Sequence, residues 1–243
     1  MGLLTESLNA TGNDSKTAQG KSLLKSRECS HFIWHMEDIL TLYEQSYDPL
    51  RPVVCFDERP CQLLSEVLTP LPMKPGRIRR QDDEYERQGV CCVFIAFEPL
   101  RSWRFVQVRR RRTAHDYASF MQELVERHYP GIERIRLVQD NLNTHTPGSF
   151  YYAFAPQEAF EFAQKFELHY TPLKGSWLNM AEIELSALAR QCLDRRIGDI
   201  ETLNKEATIW TDKRNRARKT VRWKFTKAEA RKKLNSKYPM LQD

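Results

Sequence analysis

No apolar run in the 243 residues approaches the roughly 20 that a membrane-crossing helix needs. The first 21 residues are polar and lack the apolar stretch of a secretory signal. Gly2 invites comparison with a myristoylation site, but Glu6 stands where Ser or Thr is required. The six cysteines show no paired CxxC spacing, which argues against a zinc ribbon or a thioredoxin-like site. Cys55, Cys91 and Cys92 sit inside apolar runs, where small buried thiols are the ordinary case, and a reducing cytoplasm suits them. No internal repeat is present, which sets solenoids and propellers aside.

What is there suits one large domain with appendages. Apolar residues make up 41% of the chain, enough for a sizeable core. Lys and Arg outnumber Asp and Glu by 38 to 32, a net charge of +6 that mildly favours a polyanionic partner. Residues 1–30 have no helical or strand period and read as a disordered leader. Residues 31–243 read as the folded domain, ending in basic helices.

Within that domain, Phe32, Met36, Ile39, Leu40 and Tyr43 recur at helical spacing, predicting a helix from His31 to Tyr47. Val53-Val54-Cys55-Phe56 is a short apolar run of the kind buried on both faces of a sheet. Leu63 to Arg87, with Pro70, Pro72, Pro75 and Gly76, reads as a long exposed loop. Gly89 to Phe97 and Trp103 to Val108 form a predicted hairpin, and Thr113 to Arg127 a helix. Then come a strand Arg134–Gln139, a helix Pro156–Gln164, a strand Phe166–Tyr170 and a helix Ser176–Cys192. A helix Ile200–Trp210, an extended stretch Val221–Phe225 and a basic helix Thr226–Leu234 follow. The order predicts a mixed α/β layer architecture, which a flavodoxin-like sheet would also satisfy.

Three acids stand out by placement. Asp57 follows the first strand, Asp140 follows the strand ending at Gln139, and Glu182 lies in the first turns of a helix. Ligands of α/β sheets bind beyond the carboxyl ends of strands. Carboxylates gathered there repel one another, and Mg²⁺, a hard cation bound through oxygen, relieves the repulsion. Two such ions about 4 Å apart can activate a water or a 3′-hydroxyl at a phosphodiester. Taken singly, an Asp after a strand is more often a turn residue or a helix cap. Glu58 and Glu184 are expected to point away, since a strand alternates faces and two helical residues are about 200° apart.

The strings Val53-Val54-Cys55-Phe56-Asp57-Glu58, Gln139-Asp140-Asn141-Leu142-Asn143-Thr144-His145 and Ser176-Trp177-Leu178-Asn179-Met180-Ala181-Glu182 resemble the three catalytic blocks of bacterial insertion-sequence transposases of the mariner superfamily. The resemblance runs from about His31 to Pro239 and takes in Tyr85-Glu86-Arg87 and Phe97-Glu98-Pro99. It implies an RNase H-like mixed sheet flanked by helices and a DDE triad of Asp57, Asp140 and Glu182 as catalytic residues and metal ligands. It also implies two Mg²⁺ ions, replaceable by Mn²⁺, and cleavage and strand transfer at transposon ends. DNA is then the partner, a homodimer the active assembly, and the location cytoplasmic and nucleoid-associated, with no membrane.

Asn141, His145 and Asn179 belong to the same blocks. His145 either orients a phosphate or a metal-bound water, or makes one backbone hydrogen bond as a loop residue. Asn179, one turn before Glu182, could steady that carboxylate, or be an ordinary polar residue of the first turn. Basic clusters supply candidate DNA contacts: Arg79 and Arg80, Arg109 to Arg112 (that is, Arg109, Arg110, Arg111 and Arg112), and Lys213, Arg214 and Arg216. A solvated face would carry such charges equally well.

The chain departs from the family in two respects. The usual N-terminal helix-turn-helix modules have no counterpart in the short leader, and 41 residues separate the second and third acids, swollen by the aromatic segment Phe150 to Phe166. The alternatives carried forward are a structure-specific RNase H-like nuclease and a silent DNA-binding remnant.

Overall fold

The computed structural model describes residues 29–67 and 84–238. The expected leader falls outside these residues except for its last two positions, as do Arg79, Arg80 and most of the expected loop from Leu63 to Arg87. The first element, α1, is a helix over 29–43. It is followed by β1 (Val53–Glu66), β2 (Tyr85–Glu98), β3 (Trp103–Arg109), α2 (Ala114–His128) and β4 (Ile135–Gln139). After a 3-10 turn at Pro147–Tyr152 come α3 (Pro156–Ala163), β5 (Phe166–Tyr170), α4 (Met180–Gln191), α5 (Ile200–Arg216) and α6 (Lys227–Lys233).

The five strands form one mixed sheet in the order β3-β2-β1-β4-β5. β2 runs antiparallel to both β1 and β3, while β4 pairs parallel with both β1 and β5. Alternation along the strands feeds two cores. Val53 and Cys55 of β1, with Val93, Ile95 and Phe97 of β2, face α1, α4 and α5. Val54 and Phe56, with Phe94 and Ala96, face α2 and α3. Burial on both sides explains why β4 reads as an unbroken buried run. Phe56, Phe94, Phe105 and Phe120 pack with centroids 5.1 to 5.9 Å apart, an arrangement that adds to simple area burial.

The expected mixed α/β architecture is present, with three local corrections. β1 does not stop at Phe56: it continues through Asp57 and Glu58 to Glu66, because β2 supplies an antiparallel partner for every added residue. Ser176–Leu178 is a 3-10 turn, so the helix that follows begins at Met180. α5 runs six residues beyond Trp210, to Arg216.

Candidate active site

The β1–β4 pairing explains why two acids from distant parts of the chain meet. Its register sets Val53 beside Arg136, Val54 beside Leu137 and Cys55 beside Val138. Carried two residues further, that register brings Asp57 level with Asp140, on adjacent chains whose ordinary separation is about 4.8 Å. β4 has ended by then, so Asp140 stands at the start of a loop with its side chain 46% exposed. Asp57 is inside β1, partly buried, and its Oδ1 accepts a hydrogen bond of 2.8 Å from the Glu58 backbone N–H.

Glu182 is delivered by α4. The start of that helix is set by Asn179, whose Oδ1 caps the Ala181 N–H at 3.1 Å. The same side chain donates through Nδ2 to the Phe56 carbonyl at 2.7 Å, one residue before Asp57. From the other side Tyr43 of α1 donates to the Leu178 carbonyl at 2.7 Å. A buried asparagine thus ties the first turn of α4, where Glu182 is partly buried, to the strand that carries Asp57. The expectation that Asn179 steadies the Glu182 carboxylate is therefore corrected: both of its polar atoms are spent on backbone.

The electrostatics show that the acids sense one another. Burial pushes the Asp57 carboxyl up to about 7, and the neighbouring charges of Glu182 and Asp140 push in the same direction. Burial would also raise Asp140, but the hydrogen bond and positive charge of His145 outweigh it and hold that carboxyl below its ordinary value.

His145 is almost wholly buried, packed against Phe56 and Tyr117 at 5.1 and 5.0 Å. Its Nδ1 lies 2.5 Å from Asp140 Oδ1 and its Nε2 lies 2.9 Å from Glu58 Oε2. Burial works against charging the ring, yet the two carboxylates raise it to about 9. The loop is held from behind: Gln139 Nε2 and the Tyr170 hydroxyl donate to the His145 carbonyl at 2.8 and 3.1 Å, and the Tyr117 hydroxyl donates to Gln139 Oε1 at 2.8 Å. Asn141 is exposed beside Asp140.

Two expectations about bystanders change. Glu58 does face away from Asp57, but its side chain is 5% exposed and reaches Asp140 through His145. Glu184 faces away from Glu182 into a buried ion cluster. Arg214 grips it through Nε and an NH₂ group at 2.9 and 2.8 Å, and Arg104 Nε lies 3.0 Å away without hydrogen-bond alignment. Arg214, expected on DNA, is thus committed to the fold.

The remaining basic candidates divide by surroundings. Arg109 is half buried, with its guanidinium on Gln107 at 2.7 and 3.1 Å. Arg112 is 56% exposed and lies 3.5 Å from Glu58 Oε1, beside the acids. Among the described residues, Arg110 and Arg216 make long, exposed ion contacts, each 4.0 Å, with Glu201 and Asp212. Arg111 and Lys213 are exposed. Sequence reasoning missed Tyr43, Tyr117 and Gln139, and it missed the contact of Glu58 with His145, for which the residues after Asp57 carry no apolar alternation as a signal.

Among the described residues, no group of three or more His, Cys, Asp and Glu side chains is arranged to hold an ion by itself. The donor chemistry nonetheless fits a hard divalent cation. Asp57 feels the charges of Glu182 and Asp140, a repulsion that a cation would remove, and Mg²⁺ completes its shell with water and phosphate oxygens.

Comparisons with known proteins agree with this geometry. No curated protein matches the chain. Among solved structures, a pre-cleavage Mos1 transpososome superposes with a TM-score of 0.56 at 15% identity, over 89% of this chain and 64% of that one. The Mos1 mariner paired end complex with Mn gives 0.54 at 15% identity, over 90% and 63%, and the Mos1 Strand Transfer Complex 0.52 at 17%, over 77% and 55%. The chain spans less than two thirds of each of these proteins, and at such identities the likeness is one of fold: an RNase H-like sheet flanked by helices. The family model described as DDE superfamily endonuclease matches residues 52–204, more than half of the chain and inclusive of all three acids. The chain belongs to the DDE superfamily of endonucleases.

Proposed function

We propose that this chain is the catalytic part of a transposase, which cuts DNA at the ends of a mobile element and joins the 3′ ends to target DNA. The observation that carries the reading is the meeting of Asp57 and Asp140 on the parallel β1–β4 pair, with Glu182 brought up by a helix tied to the same strand. Asp57, Asp140 and Glu182 would hold two Mg²⁺ ions, for which Mn²⁺ may substitute. When bound, such ions supply activation of a water or 3′-hydroxyl and stabilisation of the leaving oxygen of a phosphodiester.

The chain's own groups do the rest. Asp140 is held by His145 through Oδ1 and by the Leu142 backbone N–H. Asn179 fixes the distance between the helix carrying Glu182 and the strand carrying Asp57. Exposed Arg111, Arg112, Lys213 and Arg216, together with Arg79, Arg80 and Arg110, suit contacts to DNA phosphates, which position a duplex without reading its sequence. Joining two element ends calls for two active sites, hence a homodimer as the working assembly, acting where the DNA lies inside the cell.

The test is product analysis with a labelled element-end duplex, Mg²⁺ or Mn²⁺ and a target plasmid. Label recovered covalently in the plasmid supports strand transfer. Release of 3′ ends without joining would favour a structure-specific nuclease, and DNA binding without any cleavage would favour a silent remnant.

A further inference from the structure

We propose that Glu58 is a positioning residue for Asp140, acting through His145. The inference rests on the reading of Asp57, Asp140 and Glu182 as the acidic triad. Glu58 follows Asp57 in β1, and the alternation of the strand turns its side chain to the opposite face of the sheet, among Phe56, Phe94 and Tyr117. A carboxylate 5% exposed in such a place is costly unless it is paired. Its pairing is specific: Oε2 meets His145 Nε2 at 2.9 Å, while the opposite ring nitrogen meets Asp140 Oδ1 at 2.5 Å. Contacts at both ends of one imidazole, with Phe56 and Tyr117 against the ring, leave it no freedom to rotate.

The consequence falls on Asp140. It stands at the start of a loop with nearly half its side chain exposed, so neither a strand nor packing fixes its rotamer. The Leu142 backbone N–H and His145 hold it, and of the two only His145 is itself tied to another element, through Glu58 of β1. The logic is that of a carboxylate holding the far nitrogen of a ligating histidine, carried one residue further from the metal. Arg112 lies 3.5 Å from the other carboxylate oxygen, Glu58 Oε1, as a second partner.

The experiment uses the full chain and Mn²⁺ as the probe. Glu58→Ala removes the acceptor for His145, whereas Glu58→Gln keeps an oxygen at the same reach. Calorimetric titration with Mn²⁺, thermal unfolding and single-turnover nicking across a Mn²⁺ series are measured on each. Glu58→Ala should bind Mn²⁺ about 10–100-fold more weakly, the range for groups that orient ligands, with nicking recovering as Mn²⁺ is raised. Glu58→Gln should restore most of that affinity. His145→Asn should match Glu58→Ala, and the double variant should lose no more than either single change, since both break one connection.

Wild-type Mn²⁺ affinity in a folded Glu58→Ala protein, or additive losses in the double variant, would overturn the proposal. If Glu58→Ala does not fold, His145→Asn carries the same comparison: weakened Mn²⁺ binding supports the connection and unchanged binding overturns it. Asp140→Asn separates this failure from that of the triad reading. An Asp140→Asn protein that binds Mn²⁺ and nicks normally removes Asp140, and with it the route from Glu58. A dead Asp140→Asn protein beside an unaffected Glu58→Ala protein removes Glu58 alone.

Discussion

Asn179→Ala is expected to damage stability and cutting together, by separable amounts. The substitution removes two bonds at once. Loss of the N-cap to Ala181 costs about 1 kcal/mol. Loss of the donor to the Phe56 carbonyl leaves that buried oxygen unpaired, at about 1–3 kcal/mol. The sum, about 2–4 kcal/mol, corresponds to a fall in Tm of roughly 4–16 °C for a domain of this size. Asn179→Ser keeps a capping oxygen but cannot span to Phe56, so it should fall about 1 kcal/mol short of the full loss. Thermal unfolding by circular dichroism reads the first effect, and plasmid nicking well below Tm reads the second. Because the tie fixes Glu182 against Asp57, nicking by Asn179→Ala should drop by up to about 100-fold even with the protein fully folded, as a displacement of about 1 Å can cause. A Tm within about 2 °C of wild type together with undiminished nicking would refute the claim that Asn179 sets this geometry.

Glu184→Gln should lower stability by about 3–5 kcal/mol, seen as a shifted denaturant midpoint, because it leaves the buried Arg104 and the mostly buried Arg214 without a counter-charge. Tyr117→Phe strips the donor from buried Gln139 Oε1 and should cost about 1–3 kcal/mol by the same assay; an unchanged midpoint would mean the loop is held without it. Arg111→Ala and Lys213→Ala should each reduce the slope of log affinity against log salt for duplex DNA by about 1 while affecting specific and scrambled duplexes alike. Unchanged slopes would take these residues off the phosphate path.

How far the site was legible follows from which residues lie on which element. Asp57, Asp140 and Glu182, the proposed triad, stand out in the sequence because each lies next to a strongly patterned segment, and pattern marks strand ends and helix starts. β1 was cut short because Asp57 to Gln62 has no apolar alternation; those residues are strand through pairing with β2, a long-range cause that local sequence does not display. Glu184 was placed in the right direction but given no partner, because Arg104 and Arg214 come from β3 and α5. Arg214 did carry a visible signal: it follows Leu203, Ala207 and Trp210 at helical spacing, on the buried face of α5, where a lone cation implies a buried acid. Asn179 was read one turn inside a helix, while the 3-10 turn at Ser176–Leu178 moves the helix start and makes it the cap.

The account stands most directly on one comparison: nicking of supercoiled plasmid with Mg²⁺ or Mn²⁺ by the wild type and by Asp57→Asn, Asp140→Asn and Glu182→Gln, each shown to be folded by its unfolding transition. All three single changes are expected to abolish nicking while the fold survives, since none of the three acids belongs to either hydrophobic core. Full nicking by any one of the three would remove that residue from the site and contradict the triad.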